Sequence, residues 1–197
     1  MGRAMRVIHA GEAYHLTARG SNRAVVFVDD DDRQRFVMRL GATAQRYEWS
    51  CLGYCLMGNH IHLIARGPDG SIPLGMRDLL GGHARHFNSR HARTGHVFGS
   101  RFHHVHIADQ RQMIATLRYV ALNPVRAGLV QRPEQWPWSS YASLMNGIIH
   151  PGTVDAHAVL ALVAREDVGP WAARKRLADQ VEAGIDEALA AARIAGA

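Results

Sequence analysis

The sequence predicts an α+β fold in which helices pack on an antiparallel four-stranded sheet. Four short segments have the apolar composition and bounding turns of strands, and three longer segments repeat apolar residues at helical intervals. Along the chain they follow the order strand, helix, strand, strand, helix, strand, helix. That order predicts a ferredoxin-like arrangement with the helices on one face of the sheet, followed by a C-terminal helical appendage.

The predicted strands lie between turn residues. The first spans residues 14–19, where apolar and polar side chains alternate. Gly58-Asn59 forms a turn, so 51–57 and 60–66 are expected to pair as a hairpin. The fourth predicted strand, 103–107, follows a glycine-punctuated aromatic segment.

The predicted helices have recognisable starts. The first begins at the aspartates 29–32 and runs to about Tyr47, because negative charge at a helix N-terminus stabilises the helix dipole. Capping is favoured over a calcium loop, since no Gly and closing Glu follow at the required spacing. The second helix is predicted over 74–91. The third follows Asp109, an N-cap residue, and ends at Pro124.

The C-terminal quarter is predicted to be helical. Residues 131–141 form a compact aromatic turn that caps the core, and 155–164 and 171–195 are alanine-rich helices. A turn-rich linker over 146–153 precedes these two helices. The chain is therefore predicted to divide into a main domain over 1–145 and a linker with a helical tail over 146–197.

Composition restricts the class of protein. Of 197 residues, 47% are hydrophobic and 20% charged, which is typical of a globular chain. Cys51 and Cys55 are the two cysteines; their number excludes a disulfide scaffold and a four-cysteine zinc site and fits a reducing cytoplasm. We expect a cytoplasmic protein without a membrane span, because there is no long apolar run and no signal-peptide pattern.

The positive charge is concentrated in the middle of the chain. The formal net charge is +6, yet residues 60–132 carry ten arginines against three aspartates, a net charge of +7. Residues 133–197 have a net charge of −3. A basic central segment indicates a polyanionic partner, most simply nucleic acid. GC-rich coding, which favours Arg over Lys, is an alternative source of this excess.

Two histidines begin the third predicted strand. His60 and His62 are two residues apart, so their side chains point to the same face, as two ligands of a metal site would. With 13 histidines in the chain, such a pair is expected roughly once by chance. His103, His104 and His106 are weaker metal-binding candidates with similar spacing.

Each of the five tyrosines is a candidate nucleophile. Tyr119 lies on the third predicted helix, and Asn123 follows one turn later on the same face. The other four are predicted to pack in strands, at a helix end or in the aromatic turn: Tyr14, Tyr47, Tyr54 and Tyr141.

Several runs of sequence closely resemble the IS200-like (Y1) tyrosine transposases of the histidine-hydrophobe-histidine (HUH) nuclease superfamily, in particular the branch associated with repetitive extragenic palindromes (REPs). The chain departs from these relatives at Gly58, where they usually have proline. The matching runs appear in family order within about residues 7–145: 14–23, 54–63, 95–101, 118–128 and 138–141.

The resemblance implies an activity and its residues. It implies that His60 and His62 bind a metal, that Asn123 is the third ligand and that Tyr119 is the nucleophile. It also implies a transposase that nicks and rejoins single-stranded DNA beside a hairpin or palindrome through a 5′-phosphotyrosine. Such proteins are monomers or homodimers.

The chemistry of these groups is consistent with that activity. A phosphodiester is an anion, so a bound divalent cation offsets the charge that develops in the transition state. Two imidazoles and an amide oxygen leave open coordination positions, which suits Mg²⁺ or Mn²⁺. Candidate DNA contacts are Arg19, Arg23, Arg85, Arg90 and Arg101.

Two other functions are consistent with the sequence. One is a domesticated hairpin DNA-binding protein that keeps the fold without turnover. The other is a zinc-dependent hydrolase using His60, His62 and a further ligand. The hydrolase would need a carboxylate to activate water, and none is evident from the spacing.

Overall fold

A single antiparallel sheet has the strand order β2-β3-β1-β4, which confirms the predicted α+β, ferredoxin-like fold. The computed structural model describes residues 8–147, 153–164 and 169–195. The four strands are β1 (Ala13–Arg19), β2 (Ser50–Leu56), β3 (His60–Arg66) and β4 (His103–Ile107). The turn that contains Gly58 joins β2 and β3 as the predicted hairpin.

Two helices cover the first face of the sheet. These are α1 (Asp30–Arg46) and α2 (Ser71–Arg90), and they pack on Leu16 and Leu63 of the two central strands. The predicted capping of α1 is confirmed, because the Asp29 side chain accepts a hydrogen bond from the backbone N–H of the first turn.

The other face is also covered, so the prediction that the helices lie on one face was wrong. The helices α3 (Gln110–Ala121) and α4 (Asn123–Arg126) belong to a second hydrophobic cluster that includes Ile64 of β3. The physical reason lies in β2 and β3, which are buried along nearly their whole length. Such strands are apolar on both faces, and their sequence does not indicate which helix covers which face.

The C-terminal helices pack on this second face. They are α5 (Ser140–Asn146), α6 (Ala156–Ala161), α7 (Pro170–Glu182) and α8 (Ile185–Ala195). The backbone N–H of Asp155 donates to the carbonyl of Cys51 at 2.8 Å, which ties this segment to β2. The helix predicted over 171–195 is two helices that meet near Gly184.

The proposed division of the chain at 145/146 stays a prediction, and residues 148–152 of the predicted linker lie outside the described residues. Among the described residues, none of the helices combines the length and the hydropathy that a membrane span requires.

Candidate active site

Two histidines of β3 face the side of the sheet on which α3 packs. The antiparallel register places His62 opposite Thr17 and His60 opposite Arg19 of β1. The centroids of the two imidazole rings are 5.0 Å apart. His62 is 6% exposed, whereas His60 is half-buried. The predicted pair therefore shares one face and reaches the surface at one end.

Asn59 fixes the orientation of the His60 ring. The His60 Nδ1 atom lies 2.7 Å from Asn59 Oδ1, and Asn59 Nδ2 donates to the carbonyl of Arg23 at 3.1 Å. A carbonyl oxygen only accepts, so Nδ1 is the nitrogen that carries the proton. The Nε2 atom of His60 consequently keeps its lone pair, as a metal ligand must.

Both imidazoles are neutral near pH 7. Burial, assisted by the charge of Arg19, lowers the pKa of His60 to about 4. Burial, followed by the effects of His60 and His15, lowers the pKa of His62 to about 3, although a hydrogen bond with Asn123 opposes this shift. A neutral imidazole is the form that binds metals.

Tyr119 lies beside this pair within a single chain. Its ring centroid is 5.6 Å from that of His62, with the rings nearly perpendicular, and the side chain is 43% exposed. Asn123 Nδ2 donates to the Tyr119 carbonyl at 2.9 Å, and its side chain also reaches His62. The structure therefore brings together the predicted nucleophile, His62 and the predicted third ligand.

Sequence reasoning missed two residues that contact this group. The Arg126 guanidinium lies 5.0 Å from the Tyr119 ring centroid and donates to the Tyr119 carbonyl at 3.1 Å. His15 of β1 lies 2.9 Å from His62 through ring nitrogens. The strand alternation that placed Leu16 in the core also placed His15 on the histidine face, so this signal was present in the sequence.

The donor set fits a site with open coordination positions. Within the described ranges, no group of three His, Cys, Asp or Glu side chains is arranged to hold a metal ion. A zinc hydrolase would require such a set or a nearby carboxylate. The imidazole nitrogens of His60 and His62 and the amide oxygen of Asn123 are donors of a kind that could hold a divalent cation.

The histidines of β4 divide between the two faces of the sheet. His103 lies opposite Thr17, on the face of His62, and adds to the effect of burial in lowering the pKa of His15. His104 and His106 lie opposite Leu16 and Tyr14, so they face the other side of the sheet from His62. His106 Nε2 lies 2.9 Å from a carboxylate oxygen of Glu12.

The predicted DNA-contacting arginines occupy different environments. Arg19 and Arg23 are exposed near the histidine pair, at the end of β1. Arg101 lines a groove of about 760 Å³ between α2 and the segment before β4. Arg85 is exposed on α2.

Arg90 differs from the other four, because its guanidinium is occupied within the fold. It contacts Asp29 through both terminal nitrogens at 2.7 Å and Asp32 at 2.8 Å, which ties α2 to α1. The side chain of Asp32 is 0% exposed. Removing Arg90 would leave that buried carboxylate with His91 and the backbone N–H of Val28 as hydrogen-bond partners.

Residues 10–123 match the family model described as transposase IS200 like. The chain belongs to the IS200-like transposase family. The matched span begins just before β1 and ends at Asn123, so it contains His60, His62 and Tyr119.

Relatives of this transposase family member agree with the assignment. A Haemophilus influenzae protein described as a REP-associated tyrosine transposase is 26% identical over 120 residues, covering 55% of this chain and 68% of that protein. A solved structure of a REP-associated tyrosine transposase bound to a REP hairpin superposes with a TM-score of 0.62 and 17% identity. That superposition covers 77% of this chain and 89% of the other. The superposition supports the fold.

Proposed function

We propose that this transposase nicks and rejoins single-stranded DNA next to hairpins, with Tyr119 as the nucleophile. Family membership supports the reaction class. The observation that carries the residue assignment is the position of Tyr119, half-exposed and 5.6 Å from the ring of His62 in the same chain. A buried or distant phenol could not reach a phosphodiester held at the histidine pair.

The reaction exchanges one phosphoester bond for another. The Tyr119 oxygen bonds to phosphorus and loses its proton to solvent, while the bond from phosphorus to the 3′ oxygen breaks and that oxygen takes up a proton. The product is a 5′-phosphotyrosine with a free 3′ hydroxyl. Because the phosphoester bond is conserved, a second 3′ end can reverse the step and rejoin DNA. The Arg126 guanidinium, 5.0 Å from the Tyr119 ring centroid, places positive charge beside the attacking residue.

We propose His60, His62 and Asn123 as the residues that would hold Mg²⁺ or Mn²⁺. Both imidazoles are neutral, and Asn59 leaves the Nε2 lone pair of His60 free. The bound cation would offset negative charge on a non-bridging phosphate oxygen. Asn123 and Arg126 hold the Tyr119 backbone in place by donating hydrogen bonds to its carbonyl.

The proposed partner is single-stranded DNA that folds into a hairpin. The structural relative was solved with a REP hairpin, and exposed arginines, two of them beside the histidine pair, are suited to phosphate contacts. We propose Arg19, Arg23, Arg85 and Arg101 for this role. The residues gathered around Tyr119 come from a single chain, which supports catalysis by a monomer, and a homodimer is the alternative.

The decisive experiment detects the covalent intermediate. Hairpin-bearing single-stranded DNA is incubated with Mg²⁺ or Mn²⁺ and the wild-type chain, and a protein-DNA adduct is sought on a denaturing gel. Tyr119→Phe should abolish the adduct. Tyr47→Phe, which removes the phenol hydrogen-bonded to Asp78 at the end of α1, is the matched control and should retain it.

Two results would contradict the proposal. An adduct formed by Tyr119→Phe would assign the nucleophile to another residue. Hairpin binding by the wild-type chain without any adduct would favour the domesticated DNA-binding protein instead.

A further inference from the structure

His15 connects the two halves of the proposed active site. It lies on β1 and faces the same side of the sheet as His62, which is its diagonal neighbour across the β1-β3 pair. The His15 and His62 rings are stacked, with centroids 5.1 Å apart. The Tyr119 and His15 rings are in an edge-to-face contact, with their centroids 5.9 Å apart. His15 therefore contacts a proposed metal ligand and the proposed nucleophile.

The atoms in contact restrict how the protons are placed. His15 Nε2 lies 2.9 Å from His62 Nδ1. A neutral imidazole has one N–H and one lone pair, so one ring donates and the other accepts. If His62 donates from Nδ1, its Nε2 atom has the lone pair that a metal needs. If His15 donates instead, the proton of His62 lies on Nε2 and blocks that position.

We infer that His15 is a positioning residue that accepts the Nδ1 proton of His62 and so holds His62 in the metal-binding tautomer. The inference rests on the proposed function, because it assumes that His62 is a ligand. His60 supports it by analogy within the same site, since Asn59 Oδ1 accepts the Nδ1 proton of His60 at 2.7 Å. Each imidazole then has its own acceptor on Nδ1 and presents Nε2.

Asn123 is a second hydrogen-bond partner of His62. Its side chain also hydrogen-bonds to His62, so without a cation the His62 proton has two possible acceptors. Outer acceptors that select a ligand tautomer typically change metal affinity by about 10- to 100-fold. With His15 present, the Nδ1-protonated form keeps a hydrogen bond when Nε2 is used for the metal.

The test compares two substitutions of different hydrogen-bonding capacity. His15→Leu fills the space but cannot accept a hydrogen bond, whereas the side-chain oxygen of His15→Gln can. Mn²⁺ binding to the full chain is measured from the electron paramagnetic resonance signal of free Mn²⁺, with His62→Ala as the reference for loss of the site. We expect His15→Leu to weaken Mn²⁺ binding by about 10- to 100-fold and His15→Gln to remain close to wild type.

The outcomes separate this inference from the proposed function. If the wild type and His62→Ala bind Mn²⁺ equally, the proposed metal site is wrong. If His62→Ala loses Mn²⁺ and His15→Leu binds it like wild type, the role of His15 alone is overturned. Equal weakening by His15→Leu and His15→Gln also overturns it, because packing would then explain the loss.

A spectroscopic measurement tests the same point without any substitution. The ¹⁵N chemical shifts of the His62 ring are recorded in the metal-free wild-type chain, where no cation on Nε2 dictates the position of the proton. We expect the proton on Nδ1. A proton on Nε2 would overturn the inference, even if His15→Leu failed to fold.

Discussion

The Arg126 guanidinium contacts Tyr119 twice, lying 5.0 Å from its ring centroid and donating to its backbone carbonyl at 3.1 Å. One side chain therefore fixes the backbone of the proposed nucleophile and places positive charge over its ring. The two contacts hold Tyr119 beside His62, whose ring centroid is 5.6 Å from that of the tyrosine.

The first prediction concerns this arginine. Arg126→Gln should slow adduct formation by about 2- to 5-fold, the effect expected from losing one cation-π contact of about 0.5 to 1 kcal/mol. Single-turnover adduct formation on a hairpin substrate measures it. Arg126→Lys should recover part of the rate, and hairpin affinity should not change. A rate equal to wild type in Arg126→Gln would contradict the assigned contact.

The second prediction concerns Asn59, which accepts the Nδ1 proton of His60. Asn59→Ala should weaken Mn²⁺ binding by about 10- to 100-fold, because the His60 ring loses the acceptor that orients it. Asn59→Asp replaces the amide oxygen with a carboxylate oxygen that can still accept the hydrogen bond, so it should bind Mn²⁺ more tightly than Asn59→Ala. Calorimetric titration of the full chain with Mn²⁺ provides the measurement. Equal affinity in the two variants would show that the acceptor has no effect.

The third prediction separates Arg19 from Arg90. Arg19 is exposed beside the histidine pair, whereas the Arg90 guanidinium donates hydrogen bonds to Asp29. Arg19→Gln should lower single-stranded DNA affinity and reduce the slope of log affinity against log salt by about 0.7. Arg90→Gln should leave that slope unchanged at a temperature where it is folded. Fluorescence anisotropy at several salt concentrations measures both, and a reduced slope for Arg90→Gln would reverse the assignment.

The fourth prediction concerns stability in acid. The hydrogen bonds from Arg90 hold the pKa of Asp29 at about 2, below its ordinary value of 3.8. A carboxyl whose pKa is lower in the folded chain stabilises that chain above its ordinary pKa, and the stabilisation is lost as pH falls towards about 2. The wild-type unfolding temperature should therefore fall between about pH 4 and pH 2.

A substitution of Arg90 tests the source of that pH dependence. Arg90→Met should unfold at a lower temperature near neutral pH and show a smaller fall in acid, because the Asp29 pKa returns towards its ordinary value. Arg85→Met, an exposed arginine on the same helix, is the matched control and should keep the wild-type profile. Circular dichroism melting from pH 7 to pH 2 measures the three proteins. Parallel profiles for wild type and Arg90→Met would exclude this ion pair as the cause.

The sequence predicted correctly the features that depend only on neighbouring residues. The aspartates before α1, the N-cap Asp109 and the alternation along β1 each predicted the structure that is observed. The meeting of Tyr119 with His62 followed from the family resemblance, which linked a helix to a strand far away in the chain.

The features that the sequence missed depend on which distant segments meet. The apolar composition of β2 and β3 indicates burial on both sides, but it does not name the helices that supply it. His15 and His62 are 47 residues apart, so no local pattern predicts their hydrogen bond. Gly184, between α7 and α8, lies where a Cβ would come within 2.8 Å of a Leu122 side-chain atom, and this close approach joins segments about 60 residues apart.

The two hydrophobic clusters on opposite faces of the sheet have an evolutionary consequence. Helices α1 and α2 belong to one cluster, and α3, which presents Tyr119, belongs to the other. Mutations that reshape the outer surface of α1 or α2 can therefore accumulate without moving the tyrosine.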